Sequence, residues 1–283
     1  MARLVIVSNR VALPGEKRAG GLAVAVKAAL RGRKGVWCGW SGRVTEDTPG
    51  APEIIEGRNV SYVALDLAAA DHQEYYNGFA NSVLWPLLHY RVDLQDYSSL
   101  DLSGYMRVNA YFADQVSKIL RPDDIVWVHD YHLMRLALEL RARGHENPLG
   151  FFLHIPCPPP DILQALPQNE ETVGALSAYD LVGFQTDNDT ENYGKYLETR
   201  GATPSRGGRY FEIDGRRLQI DTFPVGIETG IYARAARAAT HSPFIQEMLA
   251  SLGGRKLLLG VDRLDYSKGI VQRMQAFEHL LAE

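Results

Sequence analysis

Short apolar runs of strand length alternate with segments of helical periodicity along most of this chain, and that alternation limits the fold more than any other feature. RLVIVSN (3–9), GVWCGW (35–40) and VSYVALD (60–66) read as strands. DIVWVHD (124–130), LGFFLHI (149–155) and DLVGFQT (180–186) read as strands buried on both faces. Between them, GGLAVAVKAALR (20–31) is a helix entered through two glycines, and LSGYMRVNAYFADQVSKIL (102–120) is a helix stopped by Pro122. Residues 209–223 form a hairpin pattern turning at Asp214-Gly215. RKLLLGVD (255–262) is a further buried strand, with a helix from about Ser267. The expected fold class is α/β, with a parallel, doubly wound, Rossmann-like sheet. The 283 residues, without internal repeats, suffice for one large domain or two ordinary ones.

Composition narrows the function classes. A hydrophobic fraction of 46% with 23% charged residues is that of a soluble globular protein. The net charge of −4 gives no footprint for a nucleic acid, so a small substrate is expected. Cys38 and Cys157 are too few for a disulfide framework and lack metal-ligand spacing, which points to a reducing compartment. MARLVIVSNR has no long apolar region or cleavage site, and no run approaches a membrane span. A cytoplasmic location without membrane partner is expected, and a homo-oligomer is compatible with the sequence.

In doubly wound sheets ligands bind beyond the carboxyl ends of the strands. Here those ends carry chemistry: Ser8-Asn9-Arg10, His129-Asp130, His154 and Arg263. Gly20-Gly21 would turn free amides of a helix start toward a phosphate. Ser267 is expected to cap the last helix, with Lys268 in its first turn, where a cation is unfavourable unless an anion intervenes. Arg263 and Lys268 across one turn could hold a diphosphate from two sides. Other signals are weaker. His129 and His132 have no third ligand nearby, so no metal is expected. TDNDT (186–190) opens a helix, with Asp187 or Asn188 as its expected cap, rather than a metal-binding carboxylate pair. Ser8 and Ser41 have no base at a motif position, so hydrolase chemistry is unsupported. Trp40, Tyr75, Tyr76 and Trp85 fit either a core or a sugar-binding surface.

VSNR, AGGLAV, GWSG, EYYNGF, VLWPLLHYR, VHDYHLM, GFFLHIP, LVGFQT, FPVGIE and VDRLDYSKG occur in the order found in trehalose-6-phosphate synthases, and the resemblance runs from residue 3 to the last residue. It implies a retaining glycosyltransferase with two Rossmann-like domains, the GT-B arrangement. Such enzymes move glucose from UDP-glucose to glucose 6-phosphate without metal or cofactor. Carried onto this sequence, the resemblance makes Arg10 a clamp on the acceptor phosphate, with Trp40, Tyr76 and Trp85 around the acceptor sugar. Asp130 would bond sugar hydroxyls, His154 would meet the donor glucose, and Gly20 and Gly21 would bring amides to the donor. Arg263 and Lys268 would neutralise the UDP phosphates. Residues 1–225 would be the acceptor-side domain and 226–283 the truncated start of the UDP-sugar-binding domain. The second acceptor-phosphate arginine and the D-G-M-N-L stretch of the family are absent, so the 283-residue chain alone is expected to be inactive. Cys157 and Asp161 stand where the family usually has Phe and Glu, which touches local packing and substrate preference. A glucosylglycerol-phosphate synthase and a non-catalytic sugar-phosphate-binding fragment are the alternatives.

Overall fold

The computed structural model describes residues 2–15 and 21–282. They divide into two compact units, Met1–Val225 and Gly226–Glu283.

The first unit is built on a ten-stranded sheet. Its strands are β1 (Leu4–Arg10), β2 (Gly35–Thr45), β3 (Glu53–Glu56), β4 (Val60–Ala68), β5 (Ile125–His129), β6 (Leu149–Phe152), β7 (Leu181–Phe184), β8 (Thr203–Pro204), β9 (Tyr210–Ile213) and β10 (Arg216–Thr222). The spatial order is β3-β4-β2-β1-β5-β6-β7-β10-β9-β8. All pairings from β4 to β10 are parallel, and antiparallel β3 at one edge and β9-β8 at the other close the sheet. The hairpin between β9 and β10 turns at Asp214 and Gly215, whose φ values of 53° and 71° are those of a two-residue turn matched to strand twist.

Both faces of the central strands are dry. Val5, Val7, Val36, Cys38, Val63 and Leu65 enter one core, together with apolar residues of Ser99–Ile119 such as Tyr105, Val108 and Phe112. The alternate residues Ile6, Trp37 and Ala64 enter a second core with Val26 of the helix Gly21–Ala29. Period-two alternation with apolar residues at both parities thus yields a sheet covered on each side.

From β1 the chain first builds outward through β2 to β4, then returns to place β5 on the other side of β1. The strand order therefore reverses between β1 and β5, the place where doubly wound sheets bind ligands beyond the carboxyl ends of their strands. Arg10 ends β1, and Asp130 directly follows β5.

The second unit departs from the sequence expectation. It holds the helices Thr229–Ala239, Pro243–Leu252 and Ile270–Ala282, and none of its described residues is buried. Residues 255–262, expected as a strand, form none; Leu259 and Val261 are 81% and 82% exposed. A parallel strand exists only through ladder bonds to neighbours. The described residues of this unit supply no strand to pair with, so an apolar sequence alone does not make one.

Candidate active site

The strand-end residues of the first unit are connected by a series of side-chain and backbone contacts. At the end of β1 the pairing with β2 slips between Ser8 and Arg10, a local irregularity that re-aims the side chains beyond it. Ser8 Oγ donates to the Arg10 carbonyl (2.9 Å) and accepts from Trp37 Nε1 (2.8 Å), so its role is structural. Asn9 Oδ1 accepts from the buried Tyr75 hydroxyl at 2.8 Å. Arg10 is exposed; its guanidinium lies 5.6 Å from the centroid of the Trp40 ring and donates to the Ser41 carbonyl at 3.3 Å. It has no carboxylate partner among the described residues. An arginine anchored by a ring and a carbonyl keeps charge and donors available for a planar or tetrahedral anion.

Gly42 makes that placement possible. Its φ is 89°, and a Cβ built there would overlap the Arg10 guanidinium. Gly42→Ala is therefore expected to displace Arg10 and weaken an anionic ligand about tenfold, by loss of one charge-assisted contact. Isothermal titration with inorganic phosphate or a sugar phosphate, wild type against variant, measures this.

Aromatic side chains continue from Arg10 toward β5. Trp40 lies 5.6 Å from Tyr76, and Tyr76 stacks on His132 at 5.8 Å with 15° between planes. His132 packs 4.0 Å from Tyr131, which in turn lies 5.8 Å from Trp85. Tyr75 and Trp40 are buried in the core, whereas Tyr76 and Trp85 are half-buried, so the aromatic set divides into two core residues and two partly exposed ones. Tyr76 and Trp85 are positioned by a wide helical segment over His72–Leu84, where the Trp85 N–H bonds the Ala80 carbonyl five residues back. Such wide turns gather at functional sites.

The segment after β5 is held rigidly. Tyr105 Oη donates to the Tyr131 carbonyl (2.8 Å), and Asn109 Nδ2 donates to the His132 carbonyl (3.1 Å). Asp130 has φ 73° and ψ 164°, a region that residues other than glycine occupy only when the surroundings force it, at a cost of about 1–3 kcal/mol. Asp130 Oδ1 accepts from the Tyr131 N–H (3.1 Å) and the His154 N–H (3.4 Å). Burial raises its carboxyl to about 6 from 3.8, against those two hydrogen bonds. A carboxylate so placed remains ionised at neutral pH and accepts strongly.

Three imidazoles surround it. Burial lowers His129 and His132 to about 3 and His154 to about 4, from 6.5. A histidine with a depressed folded value contributes fully above its unfolded pKa and loses that contribution as the pH falls below about 6.5. Asp130 acts oppositely, since protonation below about 6 relieves its burial. Three groups outweigh one. The thermal midpoint is expected to fall between pH 7 and pH 5, and His132→Phe, which keeps a ring against Tyr76, should flatten that fall by about 1.4 kcal/mol per pH unit in the window. Thermal denaturation across pH in both proteins checks it.

The family profile of glycosyltransferase family 20 matches residues 6–283. This chain belongs to glycosyltransferase family 20. It is 47% identical over 286 residues to a trehalose-6-phosphate synthase of Sinorhizobium fredii, covering 99% of this chain and 62% of that protein. A solved trehalose-phosphate synthase (UDP-forming) from Burkholderia xenovorans, in complex with glucose-6-phosphate, superposes with a TM-score of 0.93 at 44% identity. That match covers 100% of this chain and 62% of that one. An E. coli structure bound with UDP-2-fluoro glucose gives 0.92 at 42% identity, covering 100% and 61%. The chain thus spans about three fifths of the length of these relatives.

In this family 20 chain, contacts run from Arg10 through Trp40, Tyr76, His132 and Tyr131 to Trp85, Asp130 and His154. Gly21 opens the helix Gly21–Ala29, and Gly20 lies outside the described residues. Arg263 and Lys268 belong to the second unit and flank a tight turn. The expected cap there is corrected. Asp265, not Ser267, caps the short turn Tyr266–Lys268 by accepting from the Ser267 N–H at 2.9 Å. The helix begins only at Ile270, after Gly269 at φ 60°. Lys268 is therefore outside that helix, and its Asp265 neighbour, 3.6 Å from Arg263, offsets its charge. The cap of the TDNDT helix is likewise Thr186, which accepts from the Asp189 N–H, rather than Asp187 or Asn188.

Asn9 and His129, strand-end residues in the sequence, adjoin this set through Tyr75 and His154, and Gly42 and the buried His132 join it at Arg10 and Tyr76. Gly42 lies in the quoted GWSG motif, and a glycine two residues after an aromatic strand end was the available signal. Among the described residues no group of three or more His, Cys, Asp or Glu could hold a metal ion, and no helix is long and apolar enough to cross a membrane.

Proposed function

We propose that, in a polypeptide carrying the full length of the family, this chain transfers glucose from UDP-glucose to glucose 6-phosphate with retention, giving α,α-trehalose 6-phosphate and UDP. The observation that carries the reading is the arrangement of Arg10, without a carboxylate partner among the described residues, beside Trp40 and the half-buried Tyr76, from which ring contacts lead to Asp130. A cation followed by aromatic faces and a half-buried carboxylate matches a phosphate, a sugar ring and hydroxyl groups in sequence.

Arg10 clamps the acceptor phosphate, Trp40, Tyr76 and Trp85 line the sugar, and Asp130 accepts from its hydroxyls. His154 meets the donor glucose. Gly20 and Gly21 supply amides to the donor, and Arg263 and Lys268 offset the negative charge that builds on the departing diphosphate. Residues 1–225 form the acceptor side, and 226–283 begin the donor-binding domain. The acceptor hydroxyl attacks the face from which UDP leaves, and a phosphate oxygen of the donor takes its proton. The protein contributes positioning and electrostatics, and no protein nucleophile is required.

Incubating such a polypeptide with UDP-glucose and either glucose 6-phosphate or glycerol 3-phosphate tests the reading. UDP release with glucose 6-phosphate and an α,α-linked product supports it. Release with glycerol 3-phosphate alone reassigns the acceptor, and release with neither rejects transfer.

A further inference from the structure

The sequence marks His154 as a ligand-facing residue and leaves His129 without a task beyond ending a buried strand. The structure joins them: His129 Nδ1 and His154 Nε2 are 3.0 Å apart. The two rings lie on adjacent strand ends, β5 and β6, with centroids 5.2 Å apart. Each is fixed from behind by an aromatic neighbour, Trp127 at 4.3 Å from His129 and Phe152 at 4.7 Å from His154. His129 is 1% exposed, and its other nitrogen, Nε2, is buried with no partner. His154 is only half-buried, and its Nδ1 is not among the buried unpartnered atoms.

Only one proton can lie between two neutral imidazoles, and two arrangements are open. If His154 Nε2–H donated, the His129 proton would sit on Nε2, leaving a buried N–H with no acceptor. Orphaned buried N–H groups are the rarer defect, and a bare nitrogen at that position is tolerated more readily. The opposite arrangement places the His129 proton on Nδ1, satisfied by His154 Nε2, and forces the His154 proton onto Nδ1.

We propose that His129 is a positioning residue whose Nδ1–H donates to His154 Nε2, so that His154 is locked as the Nδ1–H tautomer and offers a ligand beyond the strand ends a hydrogen-bond donor. A donor at that place suits a hydroxyl or other neutral oxygen of a sugar. This last step rests on the transfer reading above; the tautomer itself does not. The neighbouring Asp130 reinforces the arrangement, because its carboxylate accepts from the His154 backbone N–H and holds the ring's base in register. One carboxylate acceptor and one imidazole donor then stand side by side, complementary to the two roles of a sugar hydroxyl.

Two-bond nitrogen–proton correlation spectra of the histidine side chains in the 283-residue protein test this without any substrate. The expected spectrum shows His154 protonated at Nδ1 and unprotonated at Nε2, and His129 protonated at Nδ1. His129→Asn, whose amide can donate from nearly the same place, should keep that pattern, and His129→Phe should release His154 to the other tautomer. His154 protonated at Nε2 in the wild type would overturn the proposal, and so would an unchanged His154 pattern in a folded His129→Phe protein. If that variant does not fold, the wild-type spectrum and His129→Asn still decide. In a full-length polypeptide, His129→Phe should lower turnover roughly tenfold with the acceptor KM unchanged, and His129→Asn should restore most of it. The tautomer without transfer activity would reject the transfer reading and leave this inference standing.

Discussion

Arg10→Ala is expected to raise the KM for glucose 6-phosphate by roughly tenfold to more than a hundredfold, while the KM for UDP-glucose stays nearly constant. The range follows from losing one charge-assisted hydrogen-bonding contact, about 1.5–3 kcal/mol, at about 1.4 kcal/mol per decade. The selectivity follows from position. Arg10 closes β1 of the first unit and lies against Trp40, at the head of its aromatic set, whereas Lys268 belongs to a turn of the second unit. Lys268→Ala should weaken the donor instead and depress turnover, because charge on the leaving diphosphate grows toward the transition state. Steady-state kinetics with each substrate varied in a full-length polypeptide measure both. Equal weakening of one substrate by both variants would mean that the two cations serve a single site.

The second large effect concerns Asp130. Asp130→Ala and Asp130→Gly should both lower kcat/KM by about a hundredfold, since each removes a half-buried charged acceptor. Their stabilities should differ in an unusual direction. At ordinary positions glycine is less stable than alanine by about 0.4–1 kcal/mol, through the freedom it adds to the unfolded chain. At φ 73° and ψ 164° the alanine variant keeps the strain, about 1–3 kcal/mol, that glycine releases. Asp130→Gly should therefore exceed Asp130→Ala by about 1–2 kcal/mol in denaturant unfolding. The reverse order would show that the backbone at Asp130 is unstrained.

Local sequence was informative wherever a local rule governs. The parallel sheet follows from strand-length runs apolar at both parities, and the candidate site from the polar residues that end them. The Asp214-Gly215 turn was legible because both residues tolerate the left-handed region it needs. Tertiary context decided the rest. The segment around Tyr75 and Tyr76 contains Asn77, Gly78 and Ser82, poor helix formers, yet is helical because it packs against Ser99–Ile119. Gly78 is required there because a Cβ would overlap the Asp101 carboxylate. KLLLGV has strand composition, but the described residues of its unit supply no strand to pair with. The His129–His154 contact and the Asp130 backbone depend on two strands meeting, and no spacing along the chain encodes them. The start of the last helix was misplaced because Ser267 is a good cap by type, whereas Asp265 and Gly269 set the turn.

On the proposed function, the end of β1 recognises a phosphorylated sugar through Arg10 and the rings beside it. Titrating glucose 6-phosphate into the 283-residue chain, followed by chemical-shift changes at the indole N–H groups of Trp40 and Trp85, tests it most directly. Saturable shifts are expected that are lost in Arg10→Ala and are at least tenfold weaker in affinity with glucose alone. Absence of any response in the folded wild type, or an undiminished response in Arg10→Ala, would contradict it.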